Sequence, residues 1–306
     1  KENNWLGRGI NVRSTLNLSE ERISGGLAII NPNYNYSGNE VSTAIDVSST
    51  DRTATTGFKS SRTGFSLGTS FEQYEDIFFT PKIAVTHEDI EAESTASSNI
   101  KKMEGTYFNS DFTYGLVLDK RNQSWQPTDG YRMGFRQTIP LLQDSSSIMN
   151  NFDYSVYNDF SEDVIGSLKF QVKTIHGVDD DVRLTNRLFM PSRYLRGFVR
   201  GKVGPKDDVN WIGGNYMTTL GAEAQLPNLL PESYNTDFSV FLDTGNVWSV
   251  DYSNTINDSN KLRSAIGVSA NVFTPVGPLS WTLAQSITKA STDQTETFNF
   301  SLGTSF

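Results

Sequence analysis

Apolar and polar residues alternate along this chain in runs of about ten residues, repeatedly, from its start to its end. The last run shows the pattern most clearly. Phe298, Phe300, Leu302 and Phe306 are apolar, whereas Asn299, Ser301, Gly303 and Ser305 between them are polar or small. A period of two places one set on each face of an extended strand. Near the start, Ile10, Val12, Ser14 and Leu16 alternate with Asn11, Arg13, Thr15 and Asn17. Further segments follow at 22–33, 39–50, 62–74, 77–89, 107–119, 130–140, 151–160, 165–176, 215–226, 236–247, 262–273, 278–288 and 296–306. Together these make about fourteen strands. Several are longer than a typical soluble strand, which favours the tilted staves of a barrel.

The second face decides what kind of barrel this is. Tyr131, Met133 and Phe135 oppose Arg132, Gly134 and Arg136, and Leu168, Phe170 and Val172 oppose Lys169, Gln171 and Lys173. Charges on that face need water or partners, which lipid does not supply and a polar lumen does. Turn signals such as Pro127-Thr128-Asp129-Gly130 separate the runs. The expected fold is all-β, an antiparallel transmembrane β-barrel. Composition agrees. The chain has 306 residues, of which 36% are hydrophobic, and no continuous apolar stretch approaches the length of a spanning helix. A spanning strand needs only about ten residues, half of them apolar.

Charge and cysteine content remove other classes. A net charge of −9 disfavours nucleic acid as a partner. The absence of cysteine removes disulfides and thiolate chemistry. The two histidines, His87 and His176, end strands without an evident nucleophile, and Asp179-Asp180-Asp181 reads as a solvated acidic loop. No phosphate loop or metal motif is present, so an enzyme is the least supported class and no cofactor is expected. The five tryptophans and the tyrosines suit interfacial girdles.

The longest irregular stretch, residues 177–214, carries Phe189, Tyr194, Leu195, Phe198 and Trp211. Those side chains are costly to leave in water, so an ordered loop packed into the lumen is expected. Within it lies Arg196. On the strand at 215–226, Leu220, Ala222, Ala224 and Leu226 take the outer face and turn Glu223 inward. Phe238, Val240 and Leu242 do the same for Asp243. The arginine fork suits carboxylates, so a folded-in loop can bridge two neighbouring strands through Arg196, and Gly197 beside it permits close backbone approach.

At these residues the chain resembles the Omp85 superfamily of outer-membrane barrels, and within it the BamA-type assembly factors. Leu195-Arg196-Gly197-Phe198 is similar to the loop signature of that family. Further likeness lies in Asn3 to Gly9, Asp119, Pro127-Thr128, Gly130, Gly213-Gly214-Asn215, Glu223, Asp243 to Trp248, Arg263, Pro275 to Leu279 and Phe298 to Phe306. The resemblance implies a sixteen-stranded barrel, of which this chain would lack the first two strands and the upstream POTRA domains. It implies a lumenal loop latched by Arg196, Gly197 and Phe198 to Glu223 and Asp243. It also implies a weak lateral seam whose last strand carries Phe298, Phe300, Leu302, Gly303 and Phe306. The function implied is folding and insertion of outer-membrane β-barrel proteins in the bacterial outer membrane, without nucleotide hydrolysis. The partners implied are unfolded outer-membrane proteins, assembly lipoproteins and the bilayer. The alternatives are a related translocation-assembly or two-partner-secretion barrel, or a passive porin with Arg132, Arg136, Lys169 and Lys173 lining its pore.

Overall fold

The computed structural model describes residues 2–19, 21–143, 146–161, 164–178, 180–226, 236–251, 256–258, 260–274 and 277–302. Its strands are β1 (Glu2–Trp5), β2 (Ile10–Leu18), β3 (Arg22–Asn31), β4 (Glu40–Asp51), β5 (Phe58–Tyr74), β6 (Ile77–Phe79), β7 (Lys82–Ala92), β8 (Gly105–Asp119) and β9 (Gly130–Gln143). They continue with β10 (Ser147–Ser161), β11 (Val164–Gly177), β12 (Lys206–Asp207), β13 (Asn210–Trp211), β14 (Tyr216–Leu226), β15 (Thr236–Trp248), β16 (Arg263–Thr274), β17 (Gly277–Thr288) and β18 (Phe298–Leu302). A single helical turn, α1 (Ser98–Lys101), is capped by the Ser97 hydroxyl.

Sixteen strands form one antiparallel sheet from β1 to β18; β12 and β13 make a separate small hairpin. The fourteen segments marked by alternation all appear in the large sheet, preceded by the short β1. The segment at 77–89 is interrupted. β6 and β7 both pair with β5 and β8, as two parts of one stave separated by Thr80 and Pro81. Proline has no N–H to give the ladder. The Thr80 side chain turns toward β8, where a Cβ on Gly115 would come within 2.7 Å of its hydroxyl.

The alternation sorts the two faces of the sheet. Leu27, Ile45, Phe65, Met133, Leu168, Val240, Ile266 and Phe300 are exposed on the outside. Their strand neighbours on the other face include Asp46, Arg132, Asp153, Lys169 and Asp243. No helix among the described residues is long and apolar enough to cross a membrane. The strands do the crossing, with aliphatic and aromatic side chains toward lipid and polar ones toward the interior.

The buried core lies inside the curl of the sheet. One cluster joins Leu188, Met190, Leu195, Phe198 and Val203 of the long loop to Ile175, Met217, Val247 and Ala265 of the wall. A second joins Leu184 and Ile212 to Phe58, Ile90, Ala96 and Ile100. The loop also reaches four separate hairpin connections. Trp211 N–H donates to the Thr55 carbonyl at 3.1 Å, and Asp207 accepts from Ser97 and Asn99. Lys206 pairs with Asn257, and Val199 N–H donates to the Gln294 carbonyl at 2.9 Å. Four hairpins so far apart in sequence meet one segment only because the sheet wraps around it.

Candidate functional site

The wall beneath the loop is built from facing positions of three strands. Register places Asp243 of β15 between Gly221 of β14 and Ala265 of β16, and Glu223 opposite Phe241. Gly221 and Ala265 are small, which leaves a recess over the carboxylate of Asp243. The loop fills it. Leu195 and Phe198 are fully buried in the apolar cluster, and the intervening pair turns toward the wall.

Arg196 then meets two strands at once. Its Nε donates to Asp243 Oδ2 at 2.7 Å, Nη2 donates to Asp243 Oδ1 at 2.9 Å, and Nη1 donates to Glu223 Oε2 at 2.6 Å. Its backbone N–H adds a fourth bond to Asp243 Oδ2 at 3.0 Å. The guanidinium carbon lies 3.5 Å from the centre of the Phe241 ring. A Cβ on Gly267 would come within 2.5 Å of that ring, so the wall's small residues seat the ring as well as the loop. The side chain of Asp243 is 2% exposed and that of Glu223 is 27% exposed. The bidentate pair is therefore the dry one, and the bond to Glu223 faces lumenal water. Charge-assisted fork geometry of this kind is both strong and directional.

Gly197 occupies a left-handed conformation, with φ +87°. A Cβ there would lie 3.0 Å from the Ala284 Cβ and 3.3 Å from the Ala265 Cβ. Beyond it the loop pairs as a short strand with the connection that leads into β18. Glu296 N–H donates to the Gly197 carbonyl at 3.1 Å, Phe198 bridges Thr295, and Gln294 N–H donates to the Lys202 carbonyl at 3.1 Å. Arg196, Gly197, Phe198, Glu223 and Asp243 thus share one locus.

Phe298 and Phe300 of the terminal strand lie on the outer face, and the Phe300 ring centre sits 5.6 Å from that of Trp281. Leu302 pairs with Leu279, the last described pair of the ladder to β17. Gly303 and Phe306 lie outside the described residues, as do Asp179, Pro275 and Val276.

Two buried ion pairs join this arrangement without having been assigned partners from sequence. Arg263 is fully buried; its Nε and Nη2 donate to Asp293 at 2.9 and 3.0 Å. Asp293 also accepts from the backbone N–H groups of Ala290 and Gly204, which ties the β17–β18 connection to the loop. The inward position of Arg263 was readable from the period of its strand. Its partner was not, because Asp293 sits in a connection with no periodic pattern. Nearer the start of the loop, Arg183 pairs with Glu88 at 3.7 Å, hydrogen-bonds Asn109 and lies over the Tyr107 ring.

His87 and His176 are both exposed, and His176 stacks edge-on against Tyr216, which stacks on Trp248. That cluster suits an interfacial girdle; Trp211, by contrast, is buried in the loop. Among the described residues no group of His, Asp and Glu has the spacing to hold a metal ion.

Residues 4–306 match the Omp85 superfamily domain. The outer membrane protein assembly factor BamA of Neorickettsia risticii is 26% identical over 222 residues, which is 71% of this chain and 30% of that protein. The human sorting and assembly machinery component 50 homolog is 25% identical over 171 residues, which is 52% of this chain and 36% of that protein. The chain thus spans about a third of the length of these curated relatives. Among solved structures, BamA from Haemophilus ducreyi lacking POTRA domains 1–3 superposes with a TM-score of 0.85 at 20% identity, over 97% of this chain and 65% of that one. CdiB from Escherichia coli superposes at 0.60 with 13% identity, over 97% and 56%. With the family match running across almost its whole length, over a wall of antiparallel strands wrapped around an arginine-anchored loop, this chain belongs to the Omp85 superfamily.

Proposed function

We propose that this chain is the barrel of an assembly factor that folds and inserts β-barrel proteins through a lateral seam at its terminal strand, with no nucleotide consumed. The barrel lies in the bacterial outer membrane and crosses it with its strands. One observation carries the reading. The residues just after the arginine anchor, Gly197 to Val199, are hydrogen-bonded to residues 294–296, which lead directly into β18. The lumenal loop therefore supports the last strand from inside. β18 pairs with β17 from Leu283 opposite Phe298 to Leu279 opposite Leu302, and it is the last strand of the described sheet. A strand at the end of a sheet offers N–H and C=O groups on its outer edge as a template for an incoming strand. Strand addition of this kind makes main-chain hydrogen bonds with little demand on sequence. The energy comes from the pairing and burial gained by the client as it folds.

In this reading Arg196, Glu223 and Asp243 form a structural latch, with no chemical step to perform. The partners are unfolded outer-membrane proteins, the bilayer and accessory lipoproteins of the assembly machinery. The names of the bacterial and human relatives support an assembly role. The test is reconstitution of the longer protein containing this barrel in liposomes, with folding of an unfolded barrel client followed by its gel-mobility shift. Accelerated folding that is slowed by R196A supports the proposal. Folding no faster than in empty liposomes overturns it and favours a secretion or translocation role.

A further inference from the structure

The lumen holds a cavity of about 660 Å³ beneath the arginine anchor, and its two walls differ in charge. On one side, register aligns Arg132 of β9, Ser155 of β10 and Lys169 of β11 in one row. Arg136, Asn151 and Lys173 form a second row four residues along. Asp153 stands between the rows, opposite Gly134 and Gln171. The backbone positions of four cations thus mark the corners of a rectangle about 10 Å by 13 Å, from strand spacing and rise, around one carboxylate. Arg132 and Lys169 line the cavity, as does Arg193 of the lumenal loop; Arg136 and Lys173 continue the same face of the wall beyond its lining.

These cations are under-neutralised. Asp153 is taken by Arg132. Glu223 and Asp243 are taken by Arg196. Among the described residues, no carboxylate lies within ion-pair distance of Arg136, Lys169, Lys173 or Arg193. The facing wall, on β16 to β18, is polar, with Asn271, Ser280, Thr282 and Asn299, and carries one carboxylate at its edge, Glu296, which accepts from Asn299 at 3.1 Å. This cationic wall stands inside a chain whose net charge is −9. Mutual repulsion makes such a cluster a cost to folding, and water in the lumen screens it only in part.

We infer that this wall binds an extended, acidic polypeptide segment inside the lumen. The spacing selects the class of ligand. An extended chain presents every second side chain on one face, about 6.6–7 Å apart. Carboxylates at alternate positions therefore span both rows, and the serine, threonine and asparagine side chains opposite can hydrogen-bond the segment's backbone. The proposal rests on this wall alone and stands whether or not the terminal strand acts as a seam.

The test uses the purified full chain in detergent, with a fluorescein-labelled peptide of alternating Glu and Thr as probe. Peptides with Gln or Lys in place of Glu serve as controls, and binding is read by anisotropy. The acidic peptide binds at least tenfold tighter than the Gln peptide, and its affinity falls steeply between 50 and 300 mM salt, settings chosen to change screening by about twofold in Debye length. K169Q/K173Q and R136Q each weaken binding at least fivefold, whereas K59Q, at the rim beside Asp51, leaves it unchanged. K169E/K173E shifts preference toward the Lys peptide. Heat-modifiable gel mobility shows that each variant remains folded. Equal affinity for the Glu and Gln peptides overturns the proposal. So does unchanged binding by the folded K169Q/K173Q variant, or displacement of the peptide by inorganic phosphate at equal charge concentration.

Discussion

Replacing Arg196 with alanine removes three side-chain hydrogen bonds and leaves Asp243, which is 1% exposed, with only the backbone N–H of residue 196 as its remaining bond to the loop. Breaking a buried ion pair from one side costs about 3–5 kcal/mol, because the surviving charge stays buried and unpaired. The effect falls on the equilibrium between seated and released loop, since Arg196 sits on the loop and the two strands it touches are held to each other by their own backbone ladder. At ~1.4 kcal/mol per tenfold, the released fraction rises by about two to three and a half orders of magnitude. Proteolysis reads that fraction directly when release and reseating are fast relative to cleavage. Thermolysin suits the purpose, since it cuts beside Leu, Phe and Val and does not need the arginine that the variant removes. Cleavage within residues 180–210 of R196A should therefore accelerate at least a hundredfold over the parent chain, with the strands still protected. E223Q should accelerate it by only about tenfold or less. Its bond faces water and is worth about 1 kcal/mol once screening is counted. Cleavage of R196A within threefold of the parent, or a larger effect from E223Q than from R196A, refutes the reasoning.

Three further outcomes follow from neighbouring contacts. Gly197→Ala combines a left-handed backbone with a Cβ 3.0 Å from that of Ala284. It should destabilise loop seating by about 2–4 kcal/mol and be partly rescued by Ala284→Gly, as measured by the same protease assay. Asp293→Ala leaves the fully buried Arg263 without its carboxylate, at a cost of about 3–5 kcal/mol. Hydrogen exchange should rise across residues 289–297 and into β18, and exchange confined to the loop 180–210 would contradict the proposed coupling. Gly115→Val drives a side chain into the Thr80 hydroxyl. It should lower the temperature of the gel-mobility transition, whereas Thr80→Ala in the same chain should restore part of the loss.

The strands were legible because each is long and amphipathic with a strict two-residue period, so hydrophobic position and facing direction come together. That is also why Glu223 and Asp243 could be turned inward from Ala222, Ala224, Val240 and Leu242 alone. The break at Pro81 was present in the sequence as a residue without an N–H, but the neighbouring alternation ran straight through it. The tie between the lumenal loop and residues 290–297 was not legible. It is made by backbone hydrogen bonds, which carry no side-chain signature, and by Asp293, whose partner Arg263 is thirty residues away at the start of β16. The cationic wall lay in between. Arg132, Arg136, Lys169 and Lys173 were readable as inward, but their arrangement around Asp153 depended on register, which alternation alone does not set.

The central claim is that an incoming strand pairs with the edge of β18. Single cysteines at each position from 298 to 302, combined with cysteines along the last strand of a stalled client barrel, test it most directly. The account predicts disulfides at successive matched positions of the two strands, running antiparallel or parallel in one fixed register, and their loss when the client strand carries a proline at its centre. Disulfides absent from 298–302 and found instead along β10 would contradict it.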